Sequence, residues 1–236
     1  MDPDRFIKIL SQPDDTTCGP TSLHAVYQYH GLDISLEEVI ESVHVLEDGG
    51  TLAVMLGLDA LKRGFHARIY SYNLKVFDLS WYNKSNTELV ELLEKQLEYK
   101  NGKKFTQATR AYQEFLNRGG EIVFKEDLHR GILSRYFDKN IPVLTGLSAT
   151  YLYNTTREYT NRKNISVFDD IKGEPMGHFV VLCGMENSTV FVADPYKENP
   201  FAGKNYYEVD VNRLLNAILL GIVTYDANML VVIPKE

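Results

Sequence analysis

Apolar residues recur at helical spacing through the first half of the chain. Leu23, Val26, Tyr27 and His30 share one helical face, and Gly31 follows as a stop. Ser35 and Glu38 form a capping-box pair ahead of Val39, Ile40 and Val43. A third helix is predicted over 51–62, on Leu52, Met55, Leu56 and Leu61, with Gly64 after it. Ser85 and Glu88 repeat the capping-box pattern before Leu89, Leu92, Leu93 and Leu97, and Gly102 ends that helix. Further helices are predicted over 106–116 and around Leu128, Ile132, Leu133, Tyr136 and Phe137. Two strands interrupt them: Phe65, Ala67 and Ile69 alternate with polar neighbours, and 122–124 is short and apolar.

The period changes in the second half. Strands are predicted over 141–147, 178–185, 189–193, 206–209 and 229–233, with one helix over 211–220. A polar stretch over 148–177 separates the first two strands, and loops of that length are often functional. No repeat or low-complexity linker divides the chain. The pattern predicts an α+β fold: a helical N-terminal half on a mostly antiparallel sheet, one domain over 1–236, with a cleft between the halves.

Composition narrows the function. The 236 residues are 44% hydrophobic, enough for a sizeable core, and carry a net charge of −7. That balance argues against a nucleic-acid partner, which needs a basic stripe. Arg157, Arg162 and Lys163 cluster, but acidic residues flank them, and they read as a solvated loop. The longest apolar run, 217–223, is far too short to cross a bilayer, so no membrane partner is expected. The start of the chain lacks a secretory pattern, so the N-x-S/T tripeptides at Asn154, Asn164 and Asn187 read as chance matches and the expected location is cytoplasmic. H-E-x-x-H and paired C-x-x-C spacings are absent, so no metal or other cofactor is expected. Oligomeric state stays open.

The two cysteines have different settings. Cys183 lies in the apolar strand HFVVLCGM and reads as a small buried hydrophobe. Cys18 lies in the polar segment DDTTCGPT, just before a helix. Pro20 suits a first helical turn, because its missing N–H costs nothing there. A cysteine at a helix N-terminus meets unpaired N–H groups and the positive end of the dipole, both of which favour thiolate. Taken alone, Cys18 is equally compatible with a small cap-like residue without chemistry. Gln12, six positions earlier, can turn back through Pro13 and supply an amide donor beside the thiol. Asp14 and Asp15 are expected to face solvent or to receive a substrate cation.

A base is then required, and histidine is the usual one. His24 points away from a thiol at the helix start, and His30 falls on the apolar face as a satisfied core residue. His44, His66 and His129 have no evident partner. His178 opens an apolar strand after Gly177, where its ring can project into a cleft. Strand alternation puts His178, Val180 and Leu182 on one face and Cys183 on the other. The next strand ends in Asp194-Pro195. In a hairpin the start of one strand lies near the end of the next, so His178 and Asp194 should meet. Asp194 also fits a plain turn-initiating role before proline.

QPDDTTCGPTSLHAVY, GHFVVLCGM and VADPY together resemble the papain-like cysteine peptidases. They are most similar to the bacteriocin-leader-processing peptidases, the thirty-ninth family of cysteine peptidases. That family's pattern is Gln, five residues, Cys-Gly, a later His opening a strand, and Asp-Pro about sixteen residues on. Gln12, Cys18, His178 and Asp194 occupy those positions. The resemblance implies a papain-like fold and a cysteine peptidase with a peptide or protein substrate. In that role Cys18 is the nucleophile, His178 the base, Asp194 its orienting carboxylate, and Gln12 an oxyanion donor. Thr17 departs from the acidic residue often found before the nucleophile, and no transporter segment is visible. The stretches 71–126 and 148–177 are extra relative to the family and are expected to wall or lid the cleft. Tyr151, Tyr153 and Tyr159 there either line a peptide groove or pack the lid. The same four residues also suit an amidase, deamidase or peptide transferase, or a binding module without catalysis.

Overall fold

The computed structural model describes residues 7–46, 50–160, 166–201 and 203–235. Arg162, Lys163 and Asn164, with the first six residues, lie outside the described residues.

A seven-stranded sheet divides the molecule into two layers. Its order is β2 (Glu121–Val123), β1 (Phe65–Ser71), β9 (Asn228–Pro234), β3 (Val143–Ser148), β6 (Gly177–Glu186), β7 (Thr189–Ala193) and β8 (Tyr206–Asp210). Neighbours pair antiparallel, except that β2 runs parallel to β1 at the edge. Two more strands, β4 (Glu158–Thr160) and β5 (Ser166–Phe168), form a separate antiparallel pair.

Five helices carry the core of one layer: α1 (Cys18–Tyr29), α2 (Leu36–Ser42), α3 (Ala53–Lys62), α4 (Asn86–Leu97) and α5 (Lys103–Asn117). They bury Leu23, Val26, Leu56, Leu93 and Phe115 with Ile69, Phe179 and Val181 of the sheet. The opposite face packs on α6 (Arg130–Phe137), α7 (Ala149–Tyr153) and α8 (Val211–Leu220). There Ile132, Leu152, Leu214 and Ile218 meet Val180, Leu182, Val192 and Met229. Alternate residues of β6 thus enter opposite cores, as a period of two requires. Each fully buried Leu, Ile or Phe contributes about 1.5–3 kcal/mol. A sheet buried on both faces is therefore a stiff platform for whatever its strand ends carry.

The expected α+β plan is what forms, with local differences. Ser85 and Glu88 make the full capping box of α4. Ser35 accepts from the Glu38 N–H at α2, but the Glu38 carboxylate pairs with Arg63 instead of reaching back. A tertiary cation has outcompeted a local backbone donor. β3 starts two residues later than its apolar run, at Val143. The polar stretch 148–177 is not a bare loop. It holds α7, capped by Ser148 and ended by Asn154 in the left-handed conformation, and the β4–β5 pair.

Candidate active site

Cys18 is the first residue of α1. The turn before it is tied by Asp14, whose carboxylate accepts from the Thr16 N–H and hydroxyl, and whose carbonyl accepts from the Thr17 hydroxyl. Asp14 and Asp15 are both exposed, as expected. Thr17 occupies the N-cap position but makes no side-chain bond to the helix, so no cap covers the N–H groups of the first turn.

Gly19 sets how closely α1 meets the sheet. A Cβ there would stand 2.4 Å from Thr51 Cγ2 and 3.3 Å from Phe179 Cδ2. Ser22 fastens the contact by donating its hydroxyl to the Phe179 carbonyl at 3.2 Å. Cys18 is thereby held against β6, one residue away from where His178 stands.

His178 is 7% exposed and Asp194 is fully buried. The imidazole Nε2 lies 2.8 Å from Asp194 Oδ1, which accepts its proton. The hairpin that brings them together turns on Asn187, in the left-handed conformation, and pairs Val181 with Ala193. Nδ1 is then left for the thiol. Burial disfavours the charged ring, but the Asp194 carboxylate and a side-chain hydrogen bond with Cys18 outweigh it. Together they hold the imidazole up at about 10, against an ordinary 6.5.

Asp194 is itself fully engaged. Oδ1 also accepts from the Tyr196 N–H at 2.8 Å, and Oδ2 accepts from the Tyr153 hydroxyl at 2.6 Å and the Tyr207 hydroxyl at 2.8 Å. Its backbone carbonyl takes the Asn205 amide at 2.7 Å. Burying a carboxyl this deeply is costly unless its oxygens find donors, and here both do. Burial and the adjacent Asp194 charge push both tyrosine hydroxyls far above the ordinary range, so they remain donors.

Gln12 is tied to the same region, its N–H donating to the Pro195 carbonyl at 2.9 Å. Its side-chain Nε2 donates to the Asp14 carbonyl at 2.8 Å, while Oε1 is buried with no partner among the described residues. Gln12 and His178 line one cavity of about 570 Å³ with Tyr153, Glu158 and Tyr196. Cys18 lines another, of about 590 Å³, with Thr51, Phe179 and Asp226. Gly177, Met176, Ser166 and Asp15 border both, so the two hollows flank the Cys18–His178 pair. The stretch 148–177 supplies much of the first cavity's wall but only Ser166, Pro175, Met176 and Gly177 of the second, which Lys104 enters from the stretch 71–126.

A family model described as the Peptidase_C39-like family matches residues 6–217. The chain belongs to that family. It is therefore a cysteine peptidase, a hydrolase, as its sequence resemblance implies. Solved structures align over 97% of this chain at low identity. One is a double-glycine motif protease from an AMS/PCAT transporter in complex with the leader peptide, 14% identical, with 92% of that chain covered and a TM-score of 0.45. A C39-like peptidase from Bacillus anthracis is 14% identical, with 95% covered and a TM-score of 0.47. The peptidase domain of Streptococcus ComA, a bifunctional ABC transporter involved in quorum sensing, is 15% identical, with 98% covered and a TM-score of 0.47. No curated protein matches the sequence significantly.

Other histidines of this C39-like chain have structural partners. His24 and His30 bond the carbonyls of Ile34 and Val232, and His129 caps α6 by accepting from the Gly131 N–H. Cys183 faces the core opposite Val180 and Leu182, and burial pushes its thiol up to about 12. It borders a cavity of about 180 Å³ that shares no wall with the Cys18 and His178 hollows. The described residues contain no group of His, Cys, Asp and Glu arranged to hold a metal, and no helix long and apolar enough to cross a membrane.

Sequence reading missed Tyr153, Tyr207 and Asn205 as supports of Asp194, and Asp226 altogether. Tyr153 neither lines a groove only nor packs only; its hydroxyl holds the carboxylate. One available signal was that a tyrosine alternating into a core, as Tyr207 does on β8, must find a partner for its hydroxyl.

Proposed function

We propose that this peptidase cleaves peptide bonds through a Cys18–His178–Asp194 triad, with Gln12 as an oxyanion donor. The observation that carries the reading is the His178 ring, bound through Nε2 to Asp194 at 2.8 Å, with Cys18 close enough to contribute to its raised proton affinity. An imidazole fixed on one side by a buried carboxylate, with a thiol at the other, is the geometry for moving a proton to and from a sulfur nucleophile.

The chemistry follows from these positions. His178 takes the proton of Cys18, and the sulfur adds to the substrate carbonyl carbon. The carbonyl oxygen takes up the negative charge and meets the Cys18 N–H and the free N–H of the Gln12 amide. His178 then gives its proton to the leaving nitrogen as the C–N bond breaks, leaving a thioester on Cys18. The neutral ring next accepts a proton from water, and hydroxide adds to the thioester. The C–S bond breaks, the acid product departs, and Cys18 is regenerated beside His178. The stretches 71–126 and 148–177 read as insertions in one catalytic domain, walling the cleft.

The direct test is the iodoacetamide alkylation rate of each cysteine against pH, read by mass spectrometry. Cys18 is expected to react quickly near pH 6, and to lose that advantage in His178→Ala. Cys183 is expected to stay unreactive while the chain is folded. A Cys18 that reacts no faster than a free thiol, with or without His178, refutes the triad.

A further inference from the structure

Asp226 is a buried carboxylate, 6% exposed, that the proposed chemistry does not use. It follows the short helical turn Gly221–Thr224 and precedes Ala227, which bridges to Gly146 of β3. Its Oδ2 accepts from the Thr224 hydroxyl at 2.7 Å, and it makes no ion pair among the described residues. Two glycines make room for it. A Cβ on Gly177 would stand 2.1 Å from Asp226 Oδ2, and a Cβ on Gly146 would stand 3.0 Å from Asp226 Cβ. The residue immediately before His178 therefore has to lack a side chain for this carboxyl to reach the site.

The charged and titratable groups acting on it come from two elements. Lys104 and Tyr112 lie on α5, and His178 on β6. The Lys104 ammonium donates to the Thr224 carbonyl at 3.1 Å and lies 5.2 Å from the Tyr225 ring centre, so its contacts are with those groups. Burial raises the Asp226 carboxyl to about 7, against the Thr224 hydrogen bond and the Lys104 and His178 charges. A buried carboxylate with one neutral donor is incompletely compensated. What it lacks, among the described residues, is a cation in direct contact.

Asp226 borders the cavity of about 590 Å³ that opens beside Cys18. Leu46, the Thr51 methyl and Phe179 give that cavity apolar wall, Asp15 stands on it as a second carboxylate, and Lys104 also lines it, its ammonium engaged by the Thr224 carbonyl. Apolar sides around an acidic end suit a long side chain with a methylene stem and a charged tip. We infer that Asp226 is a specificity-determining residue, receiving a lysine or arginine side chain of the peptide substrate in this cavity. The inference rests on reading Cys18 as the nucleophile.

Matched peptidyl acyloxymethyl ketones test it on the full chain. Each pair carries lysine or norleucine at the first, second or third residue from the ketone, with alanine elsewhere, and Cys18 labelling is followed by mass spectrometry. At one position the lysine probe is expected to label faster by about tenfold or more, the range of a charge-assisted hydrogen bond in a buried site. Asp226→Asn is expected to bring that ratio within about threefold while the norleucine rate holds. Where that variant fails to fold by near-UV circular dichroism, Asp226→Ser replaces it, and the wild-type comparison stands by itself. Equal labelling by lysine and norleucine at every position in wild type overturns this inference alone. So does an Asp226→Asn variant that slows both probes by one common factor, because the carboxyl then acts through His178 and not on the substrate. Failure of every probe to label Cys18 overturns the nucleophile assignment, and this inference with it.

Discussion

Asp194 binds His178 through one oxygen, at 2.8 Å, and its other oxygen is held by the hydroxyls of Tyr153 and Tyr207. The carboxylate therefore cannot rotate away from the ring without breaking hydrogen bonds in a fully buried site. Orientation of the imidazole is built into the fold before any substrate arrives.

Removing the charge at Asp194 tests that orientation. In Asp194→Asn the charge is lost and one accepting oxygen becomes an NH2 donor, so the ring and the two tyrosine hydroxyls can no longer all find an acceptor, and kcat is expected to fall by about 10²–10⁴ with a smaller change in KM. Steady-state kinetics on any cleaved peptide measure it. A variant keeping more than about a third of wild-type kcat would show that Asp194 is a turn residue with no part in the chemistry.

The two tyrosines are positioning residues, and their loss should be felt first in stability. Tyr207→Phe leaves a buried carboxylate oxygen short of one donor, which costs about 1–3 kcal/mol. Tyr153→Phe does the same from α7. The double variant should cost less than the sum of the two once water enters the gap, and the His178 titration followed by NMR should move upward in each, because a carboxylate short of a donor is the stronger base. Unchanged urea midpoints and an unmoved His178 titration would sink the assignment.

The raised His178 makes a prediction for pH. Its folded value of about 10 lies above the ordinary 6.5, so the folded state binds the proton more tightly than the unfolded chain. The stabilisation is fully present below about 6.5 and is lost as pH rises through about 10. Urea unfolding of wild type and His178→Gln should differ most near pH 6.5, with the gap closing toward pH 10. A gap that stays constant or widens with rising pH would mean the ring is not held protonated.

Pro20 and the Leu23, Val26, Tyr27 spacing located α1, because a helix start and a 3.6-residue period are local properties of the chain. The meeting of His178 and Asp194 was expected from a hairpin across Glu186-Asn187-Ser188; the strands do pair there, with a register shift between Leu182 and Gly184 that the sequence did not show. The family resemblance rested on those same positions, and the family match over 6–217 agrees with it.

Other features depended on neighbours far along the chain. The parallel pairing of β2 with β1 joins strands some fifty residues apart, and the β4–β5 pair lies in a polar stretch with little apolar alternation. Glu38 was free to close a capping box until Arg63 came within reach.

The sequence by itself determined the helix that presents Cys18, the hairpin that carries His178 toward Asp194, and the α+β order of elements. Those depend on periods, caps and tight turns, all set within a dozen residues. Only the tertiary structure decided what surrounds that hairpin. Tyr153 reaches Asp194 from 41 positions away, and Asp226 reaches the Cys18 cavity because Gly146 and Gly177 are bare. Contacts of that range are settled by packing two layers against one sheet, and no local pattern encodes which buried hydroxyl or carboxyl will find which partner.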